Sequence, residues 1–331
     1  MTEGPGTLRL GSRKSPMAIA QSGDVARLLT ERTGRRVEIV GLTTLGDVSK
    51  EHLTQIGGTG VFVSGVRDSL LRGAVDFVVH SLKDLPTGAA QGIALAAIPA
   101  RDDPRDALVA RDGVKLADLQ AGARIGTGSP RRAAQLMLLR SDVTCVPIRG
   151  NANTRLAKVL AGELDAVVLA YAGLARIGHT DLVSEIFGPD DMVPAPGQGA
   201  LAVECRADDI ELIELLAAID HPVTRAAVTA ERGLLAALEA GCSAPVGAYA
   251  VSERPGRLRL DGVVLGIRPA SFPQGELDSG PTEGRMVIRE RGEADATDAA
   301  GLGRELAARM LTLGAAGLMR AERTDGNDAH D

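Results

Sequence analysis

Two successive series of short β-type runs alternate with helical patterns, and this alternation restricts the fold more than any other feature of the chain. The first series lies between Thr7 and Pro99, and the second lies between Arg124 and Ala170. Such alternation is typical of βαβ units, in which parallel strands are joined by crossover helices. With 331 residues, of which 44% are apolar, the chain can build more than one core. The sequence therefore predicts two similar α/β lobes, each with a doubly wound, mainly parallel sheet.

The two series share a local pattern, which is a weak internal repeat. A strand containing Gly is followed by Ser-Pro and then by Gln, in residues 9–21 and again in residues 124–135. Ser15 and Ser129 are predicted N-caps, and the proline after each one occupies the first helical position, where no N–H is required. Free N–H groups at helix starts bind anions, and doubly wound sheets bind ligands at the carboxyl ends of their strands. We expect an anion site at both places.

The remainder of the chain is predicted to return to the first lobe and then to form a third domain. The run Ala200–Cys205 reads as a strand of lobe 1, and two crossings between the lobes would form a hinge. Patterns after Pro222 predict a smaller α+β domain that ends in one helix from Asp295 to Met319. The predicted division is lobe 1 at residues 1–100 and 200–220, lobe 2 at 101–199, domain 3 at 221–321 and a disordered tail at 322–331.

Composition excludes several classes of function. The net charge of −6 provides no global basic field, so we expect no nucleic-acid partner and no adhesion to an anionic membrane. The first residues lack a signal-peptide pattern and no long apolar run is present, which favours a cytoplasmic protein. The 3 cysteines show no C-x-x-C pairing and the 5 histidines show no ligand spacing, so we expect reduced thiols and no metal.

Arginine dominates the basic residues, since only 5 of the 37 are lysines. Guanidinium groups suit bidentate binding of carboxylates. A codon bias explains many of these arginines, but it does not explain arginines that recur at strand ends and helix starts. Because the chain has no G-x-x-x-x-G-K-[ST] loop, phosphate is the weaker ligand. We predict a cleft between the lobes that binds several carboxylates, lined by Arg13, Arg131, Arg132, Arg149, Arg155 and Arg176.

Further residues have the position or chemistry of site residues. Lys83 and Asp84 directly follow an apolar strand, so Asp84 is a candidate general acid or base, or a stabiliser of a cation; the alternative is an ordinary turn aspartate. Cys242 lies in a turn and is either an accessible thiol or a small buried residue. Phe62 follows the glycine-rich segment 57–60, a candidate mobile lid, and lies either against a planar ligand or in the core.

Six motifs, in order along nearly the whole chain, resemble those of the porphobilinogen deaminase family. The motifs are Gly11-Ser-Arg-Lys-Ser-Pro16, His80-Ser-Leu-Lys-Asp-Leu-Pro86, Ile125-Gly-Thr-Gly-Ser-Pro-Arg-Arg132, Arg149-Gly-Asn-Ala-Asn-Thr-Arg155, Pro196-Gly-Gln-Gly199 and Gly241-Cys242. No one of them is sufficient alone, but their shared order and spacing make a chance resemblance improbable.

The resemblance implies a three-domain transferase whose first two lobes look like type II periplasmic binding proteins. It implies a dipyrromethane cofactor that Cys242 holds through a thioether. The family joins four porphobilinogen molecules head to tail on this cofactor, releases ammonia each time, and hydrolyses the product as hydroxymethylbilane. It further implies a cytoplasmic enzyme, which we expect to be a monomer that passes its product to uroporphyrinogen-III synthase.

The resemblance also implies roles for individual residues. Asp84 matches the catalytic carboxylate, which would stabilise the cation left on a pyrrole by loss of ammonia. Each pyrrole carries an acetate and a propionate, so a chain of six rings brings about twelve carboxylates to the arginines. The residues that match positions binding cofactor or substrate are Arg13, Ser15, Lys83, Ser129, Arg131, Arg132, Arg149, Arg155 and Arg176. Thr59, Gly128 and Pro130 depart from the family pattern, in the lid and at one helix start.

Two other classes of protein remain as alternatives. A two-lobed solute-binding protein would share the predicted cleft, but it would normally be exported and would not explain Cys242. A cysteine-dependent hydrolase or transferase would use Cys242 as a nucleophile that turns over, and would require a nearby histidine as base.

Overall fold

The computed structural model describes residues 6–42, 60–240, 244–266 and 287–320. The strands in these ranges are β1 Leu8–Arg13, β2 Val37–Leu42, β3 Phe77–Ser81, β4 Ile93–Ala97, β5 Asp106–Ala110, β6 Arg124–Thr127, β7 Thr144–Pro147, β8 Ala166–Ala170, β9 Glu185–Ile186, β10 Leu201–Arg206, β11 Val246–Arg254, β12 Arg257–Leu265 and β13 Val287–Asp295. The helices are α1 Pro16–Thr33, α2 Gly60–Leu71, α3 Pro130–Leu139, α4 Ala152–Leu160, α5 Tyr171–Arg176, α6 Ile210–Leu216, α7 Pro222–Ala237, α8 Ala299–Thr312 and α9 Ala315–Arg320.

The first sheet has the order β2-β1-β3-β10-β4. Strand β1 is parallel to β2 and β3, whereas β10 runs antiparallel to β3 and β4. The sequence-predicted strand at Ala200–Cys205 thus lies in the first sheet as β10. Apolar side chains of α1 pack against this sheet, with Leu29 and Leu10 fully buried.

The second sheet has the order β7-β6-β8-β5-β9 and repeats the pairing of the first. Strand β6 is parallel to β7 and β8, and β5 runs antiparallel to β8 and β9. Strand by strand, β6, β7, β8, β5 and β9 correspond to β1, β2, β3, β10 and β4. The repeat that the local sequence pattern indicates therefore extends to the whole sheet, and the α/β fold class is confirmed for both lobes.

Both predicted helix starts are confirmed. The Ser15 hydroxyl accepts a hydrogen bond from Ala18 N at 3.3 Å, and the Ser129 hydroxyl accepts one from Arg132 N at 3.4 Å. Proline begins each helix, because its missing N–H would have no partner in the first turn. These starts lie at the carboxyl ends of β1 and β6, which are equivalent strands.

The third sheet is a small antiparallel meander with the order β11-β12-β13. Helix α8 covers it through Leu302, Leu306 and Met310, which are buried. The predicted single helix from Asp295 to Met319 is wrong at its start and in its continuity, whereas helical structure does extend to its predicted end. Asp295 ends β13, and Gly314, with φ of 99°, interrupts the helix between α8 and α9 because residues of this conformation cannot continue a right-handed helix.

The chain separates into two compact units. The first contains residues 1–103, 175–178 and 197–225, and thus the first sheet; the second contains residues 104–174, 179–196 and 226–331, and thus the second and third sheets. The three-domain division from the sequence stays a prediction. Among the described residues, no helix combines the length and apolar character that a membrane span requires.

Candidate functional site

The first sheet presents three predicted site residues at one edge. Arg13 is the last residue of β1, and Lys83 and Asp84 lie in the 3₁₀ turn Leu82–Asp84 that directly follows β3. Since β1 and β3 are parallel neighbours, their carboxyl ends share an edge of the sheet. The Asp84 side chain is half-buried and makes no hydrogen bond or ion pair with another residue of the described ranges. Its carboxylate is available to a ligand.

The segment Gly197–Gly199 contacts this turn through a hydrogen bond between Gln198 and Lys83. Gln198 is fully buried, and its side-chain oxygen accepts a hydrogen bond from Lys83 Nζ at 3.3 Å. Gly199 has φ of 84°, and a Cβ at this position would lie 2.6 Å from the Asp102 carbonyl oxygen. Only glycine fits such a conformation and such a close approach. Gly199 therefore permits the close approach to Asp102, and a Cβ at Gly197 would lie 3.2 Å from Leu82 Cγ and 3.4 Å from Lys83 N.

Arg176 is almost buried and already has a carboxylate partner. Its Nη2 atom lies 2.5 Å from Asp102 Oδ2 and donates to the Gly199 carbonyl at 3.0 Å, while the side chain is 7% exposed. Its Nε atom is buried and has no hydrogen-bond partner within the described part of the chain. The sequence-based assignment of Arg176 to carboxylate binding stays a prediction.

The start of α3 holds two buried arginines around one buried carboxylate. Arg132 donates from Nε and Nη2 to Asp106 Oδ1 at 3.0 and 2.7 Å, and Arg131 Nη2 lies 2.8 Å from Asp106 Oδ2. Asp106 is 0% exposed, and the two arginines are 2% and 6% exposed. Arg131 also donates to the Val193 carbonyl at 2.7 Å. Charges buried this deeply persist only when they are paired and hydrogen-bonded.

One donor of this arrangement has no hydrogen-bond partner in the described part of the chain. Two guanidinium groups share one carboxylate, and Arg131 Nε is buried with no hydrogen-bond partner among the described residues. Burial lowers the pKa of Arg131, while Asp106 opposes that effect. A ligand carboxylate that reaches Arg131 would supply an acceptor for this donor.

Arg155 and Arg149 extend the positive charge along the same lobe. Burial, followed by repulsion from Arg132, lowers the pKa of Arg155, and Arg155 Nε donates to the Gly150 carbonyl at 2.9 Å. Arg149 is exposed and has no ion pair with any residue that the structure describes. The second lobe thus brings Arg132 and Arg155 together and leaves the Arg149 guanidinium open to solvent.

The structure explains why glycine fits at position 128. A Cβ at Gly128 would lie 2.6 Å from the Ile148 carbonyl oxygen and 3.8 Å from Arg155 Nη2. Any side chain here would move the backbone beside the arginines. Pro130 occupies the first helical position of α3 without loss of a hydrogen bond. Both departures from the family pattern are therefore compatible with an intact helix start.

Glu204 is the centre of a buried ion-pair group in the first lobe. It accepts hydrogen bonds from Arg67 Nε and Nη2 at 2.9 and 2.6 Å, and His80 Nε2 lies 3.3 Å away. Burial alone would raise the pKa of Glu204, but Arg67 and His80 lower it to about 2. The group joins α2, β3 and β10. It supports the strand that leads into Lys83 and Asp84.

Some predicted site residues fall outside what the structure describes. Cys242 and Thr59 lie outside the described ranges, as do residues 57–59 of the candidate lid and the tail from residue 321. Phe62 belongs to α2, but its side chain is outside the description. Cys205 is buried, which raises its pKa to about 11, and burial also raises the pKa of Cys145. Both of these thiols are poor nucleophiles at neutral pH.

Sequence reasoning missed the partners of the arginines and of Lys83. Asp106, Asp102 and Gln198 are far from Arg132, Arg176 and Lys83 along the chain, and they meet only through the sheet topology. A weak signal was present for Asp106, since an aspartate that begins an otherwise apolar strand must find a partner when it is buried.

Comparisons with known proteins agree with the motifs. The family model described as "Porphobilinogen deaminase, dipyromethane cofactor binding domain" matches residues 8–214, and the model of the "Porphobilinogen deaminase, C-terminal domain" matches residues 225–269. The porphobilinogen deaminase of Thermobifida fusca is 57% identical over 93% of this chain and 94% of its own length. Porphobilinogen deaminase 1 of Streptomyces coelicolor is also 57% identical, over 94% of this chain and 97% of its own length.

Similarity to solved structures is weaker. A periplasmic binding protein of Salmonella typhimurium matches 67% of this chain and 94% of its own chain at 17% identity, with a TM-score of 0.38. A score this low supports no conclusion about function. The family models and the close relatives cover most of the chain and carry one name. The chain therefore belongs to the porphobilinogen deaminase family, a family of transferases of tetrapyrrole biosynthesis with a dipyrromethane cofactor.

Proposed function

We propose that this chain joins four porphobilinogen molecules head to tail on a dipyrromethane held by Cys242, with release of ammonia at each step and of hydroxymethylbilane at the end. The observation that carries this proposal is the buried Nε donor of Arg131 at the start of α3. Arg131 and Arg132 both pair with the Asp106 carboxylate, and Arg131 Nε has no partner within the described ranges. A carboxylate of a ligand would accept a hydrogen bond from this donor.

The donor set fits a dipyrromethane, which has two acetates and two propionates. In the second lobe, Arg131, Arg132 and Arg155 would bind these groups, and the Ser129 hydroxyl can still donate its proton while it accepts from Arg132 N. When bound, the cofactor supplies the start of the polypyrrole chain. Groups of the protein itself would carry out the chemistry at the reacting ring.

Asp84 is the residue that we assign to that chemistry. Loss of ammonia from the substrate side chain leaves a cation that is delocalised over the pyrrole ring and its nitrogen. The Asp84 carboxylate has no partner among the described residues, so it can accept a hydrogen bond from the pyrrole N–H and stabilise this cation. The same group can carry a proton to the departing amine, provided that it is within hydrogen-bond reach of the bound substrate.

The cations of the first lobe would bind the substrate. Lys83 is fixed by Gln198, so its ammonium group is held in one place for an acetate or a propionate. Arg13 and the Ser15 hydroxyl lie at the neighbouring strand end. Arg149 would meet later carboxylates of the growing chain, since its guanidinium is exposed. Arg176 would contribute its remaining donor, and Phe62 would lie against a pyrrole ring.

Three finer assignments belong to the same proposal. We expect a monomeric enzyme, a cytoplasmic location, and direct transfer of the product to uroporphyrinogen-III synthase. The predicted cleft between the lobes also stays part of the proposal.

The experiment that tests the function follows substrate and products together. Purified protein is incubated with porphobilinogen, and ammonia and the released polypyrrole are quantified over time. The proposal predicts four ammonia molecules for each hydroxymethylbilane. Binding of porphobilinogen without release of ammonia would instead identify a solute-binding protein, and would overturn the proposal.

A further inference from the structure

A buried glutamine forms hydrogen bonds with both backbone polar groups of Val193. Gln135, on α3, accepts a hydrogen bond from Val193 N at 2.8 Å and donates one to the Val193 carbonyl at 3.2 Å. The same side-chain nitrogen lies 3.3 Å from the Arg131 carbonyl, and Gln135 is 0% exposed. The amide therefore pairs with both polar groups of one residue, as a neighbouring β-strand would.

The same carbonyl group also holds the arginine pair. Arg131 Nη1 donates to the Val193 oxygen at 2.7 Å, so this oxygen accepts from both Arg131 and Gln135. Displacement of Val193 would release a buried guanidinium from one of its partners. The position of Arg131 thus depends on the position of the Val193 backbone.

On its other side, this segment contacts the third sheet. Ala248 N, on β11, donates to the Pro194 carbonyl at 2.9 Å. A Cβ at Gly247 would lie 2.9 Å from the Val193 oxygen and 3.0 Å from Val193 Cβ, so the two backbones are in direct contact. Val193 also packs with Ala134, Val263 and Leu265 in one buried apolar cluster. All of these residues belong to the second compact unit.

Strand β11 begins four positions after Cys242 in the sequence. From these contacts, we propose that Gln135 is a positioning residue for cofactor attachment: it fixes Val193, and thereby holds the strand that follows Cys242 in register with Arg131 and Arg132. This inference rests on the proposed function, because it takes Cys242 as the attachment point. Gln135 itself touches neither the cofactor nor the reacting atoms in this account.

The test compares three proteins expressed in the same way. Gln135→Met has nearly the same volume but neither hydrogen-bonding group, whereas Gln135→Glu retains the acceptor for Val193 N. The control is Val159→Ala, which removes apolar volume from α4 in the same lobe and leaves the Val193 contacts intact. Two quantities are measured on the folded fraction: the share of molecules with the cofactor mass on Cys242, and amide hydrogen exchange at Val193 and Ala248.

A merely structural role would lower the melting temperature of Gln135→Met and of the control alike, with no change in the share of loaded molecules. The positioning role predicts exchange at least tenfold faster at Ala248 in Gln135→Met, with β12 unchanged, and fewer than half of the folded molecules loaded. Gln135→Glu should be intermediate between Gln135→Met and the wild type in both cofactor loading and amide exchange. The control should match the wild type in both quantities.

Equal loading and equal exchange in the wild type and both Gln135 variants would overturn the inference. Failure of the proposed function gives a different result, since the wild-type protein itself would then carry no added mass. In that case the exchange at Ala248 would still decide whether Gln135 positions β11.

Discussion

Asp106 and Arg132 form a buried ion pair in which one carboxylate oxygen accepts two guanidinium hydrogen bonds, at 3.0 and 2.7 Å. Arg131 approaches the other oxygen of the same carboxylate. The pair links β5 to α3, and thus the antiparallel strand of the second sheet to the helix start that carries the predicted carboxylate-binding arginines. One aspartate therefore orients two cations.

Replacement of Asp106 should lower the free energy of unfolding. Asp106→Asn removes the carboxylate charge that pairs with two buried guanidiniums, and removal of one partner from a buried pair destabilises a protein by about 3–5 kcal/mol. We expect a loss of this size in urea unfolding, together with reduced cofactor loading. Asp165→Asn is the control, because its partner Arg111 is 48% exposed and exposed pairs contribute no more than about 1 kcal/mol. Equal losses in the two variants would contradict the role given to Asp106.

Replacement of Asp84 should affect the reaction and leave folding unchanged. Asp84→Asn should retain the cofactor and the melting temperature but lose turnover by at least about 100-fold, since removal of an acid–base group costs about 10²–10⁴ in rate. Asp118→Asn is the matched control, because Asp118 ends the 3₁₀ turn Leu116–Asp118 as Asp84 ends its own. Undiminished turnover in Asp84→Asn would remove this residue from the mechanism.

Arg149 is exposed, so its replacement should affect ligands and not stability. Arg149→Leu should change the free energy of unfolding by less than about 0.5 kcal/mol. It should slow cofactor loading or chain growth by about tenfold or more, because a hydrogen bond to a charged group contributes about 1.5–3 kcal/mol. Arg304→Leu, an exposed arginine on α8, should have no effect on either process. Normal product formation by Arg149→Leu would refute the assignment.

The lowered pKa of Glu204 predicts how the stability of the protein changes at acid pH. Its pKa in the folded protein is about 2, below the ordinary value of 4.5, so the folded state favours the ionised carboxylate. The stabilisation is complete above pH 4.5 and is lost as the pH falls towards 2; the shift corresponds to at most about 3 kcal/mol. Glu204→Gln should be less stable at pH 7 and should lose less stability between pH 5 and pH 3, measured by urea unfolding.

The control for this pH dependence is Glu163→Gln, which removes an exposed partner of Lys158. This variant should follow the wild-type profile. If Glu204→Gln showed the full wild-type loss of stability in acid, the buried pair would not be its source.

The parts of the fold that follow from local physics could be predicted from the sequence. Ser15 and Ser129 precede prolines at strand ends, and capping preferences alone identify both helix starts. The α/β alternation likewise identifies both lobes. Long-range pairing could not be predicted: nothing local indicates that β5 takes the place in the second sheet that β10 takes in the first. The break at Gly314 was also missed, because the apolar periodicity continues through it.

The site residues also separate into those that a local sequence signal predicts and those that depend on distant partners. The positions of Lys83 and Asp84 after a buried strand are a local signal, and the structure places both at the sheet edge. The burial of Arg131, Arg132 and Arg176 was not predictable, because each depends on an aspartate that the topology brings from a distant segment. The sequence pattern could identify which arginines lie at strand ends, but it could not show which of them already have a partner.

The most direct test of the whole account is the intact mass of the purified protein, measured beside its activity. The account predicts an added mass equal to two linked pyrroles, carried on the peptide that contains Cys242. The added mass should be absent from Cys242→Ser and retained in Cys145→Ser, whose thiol is half-buried and has a raised pKa. A fully active protein whose mass equals that of the unmodified chain would contradict the account.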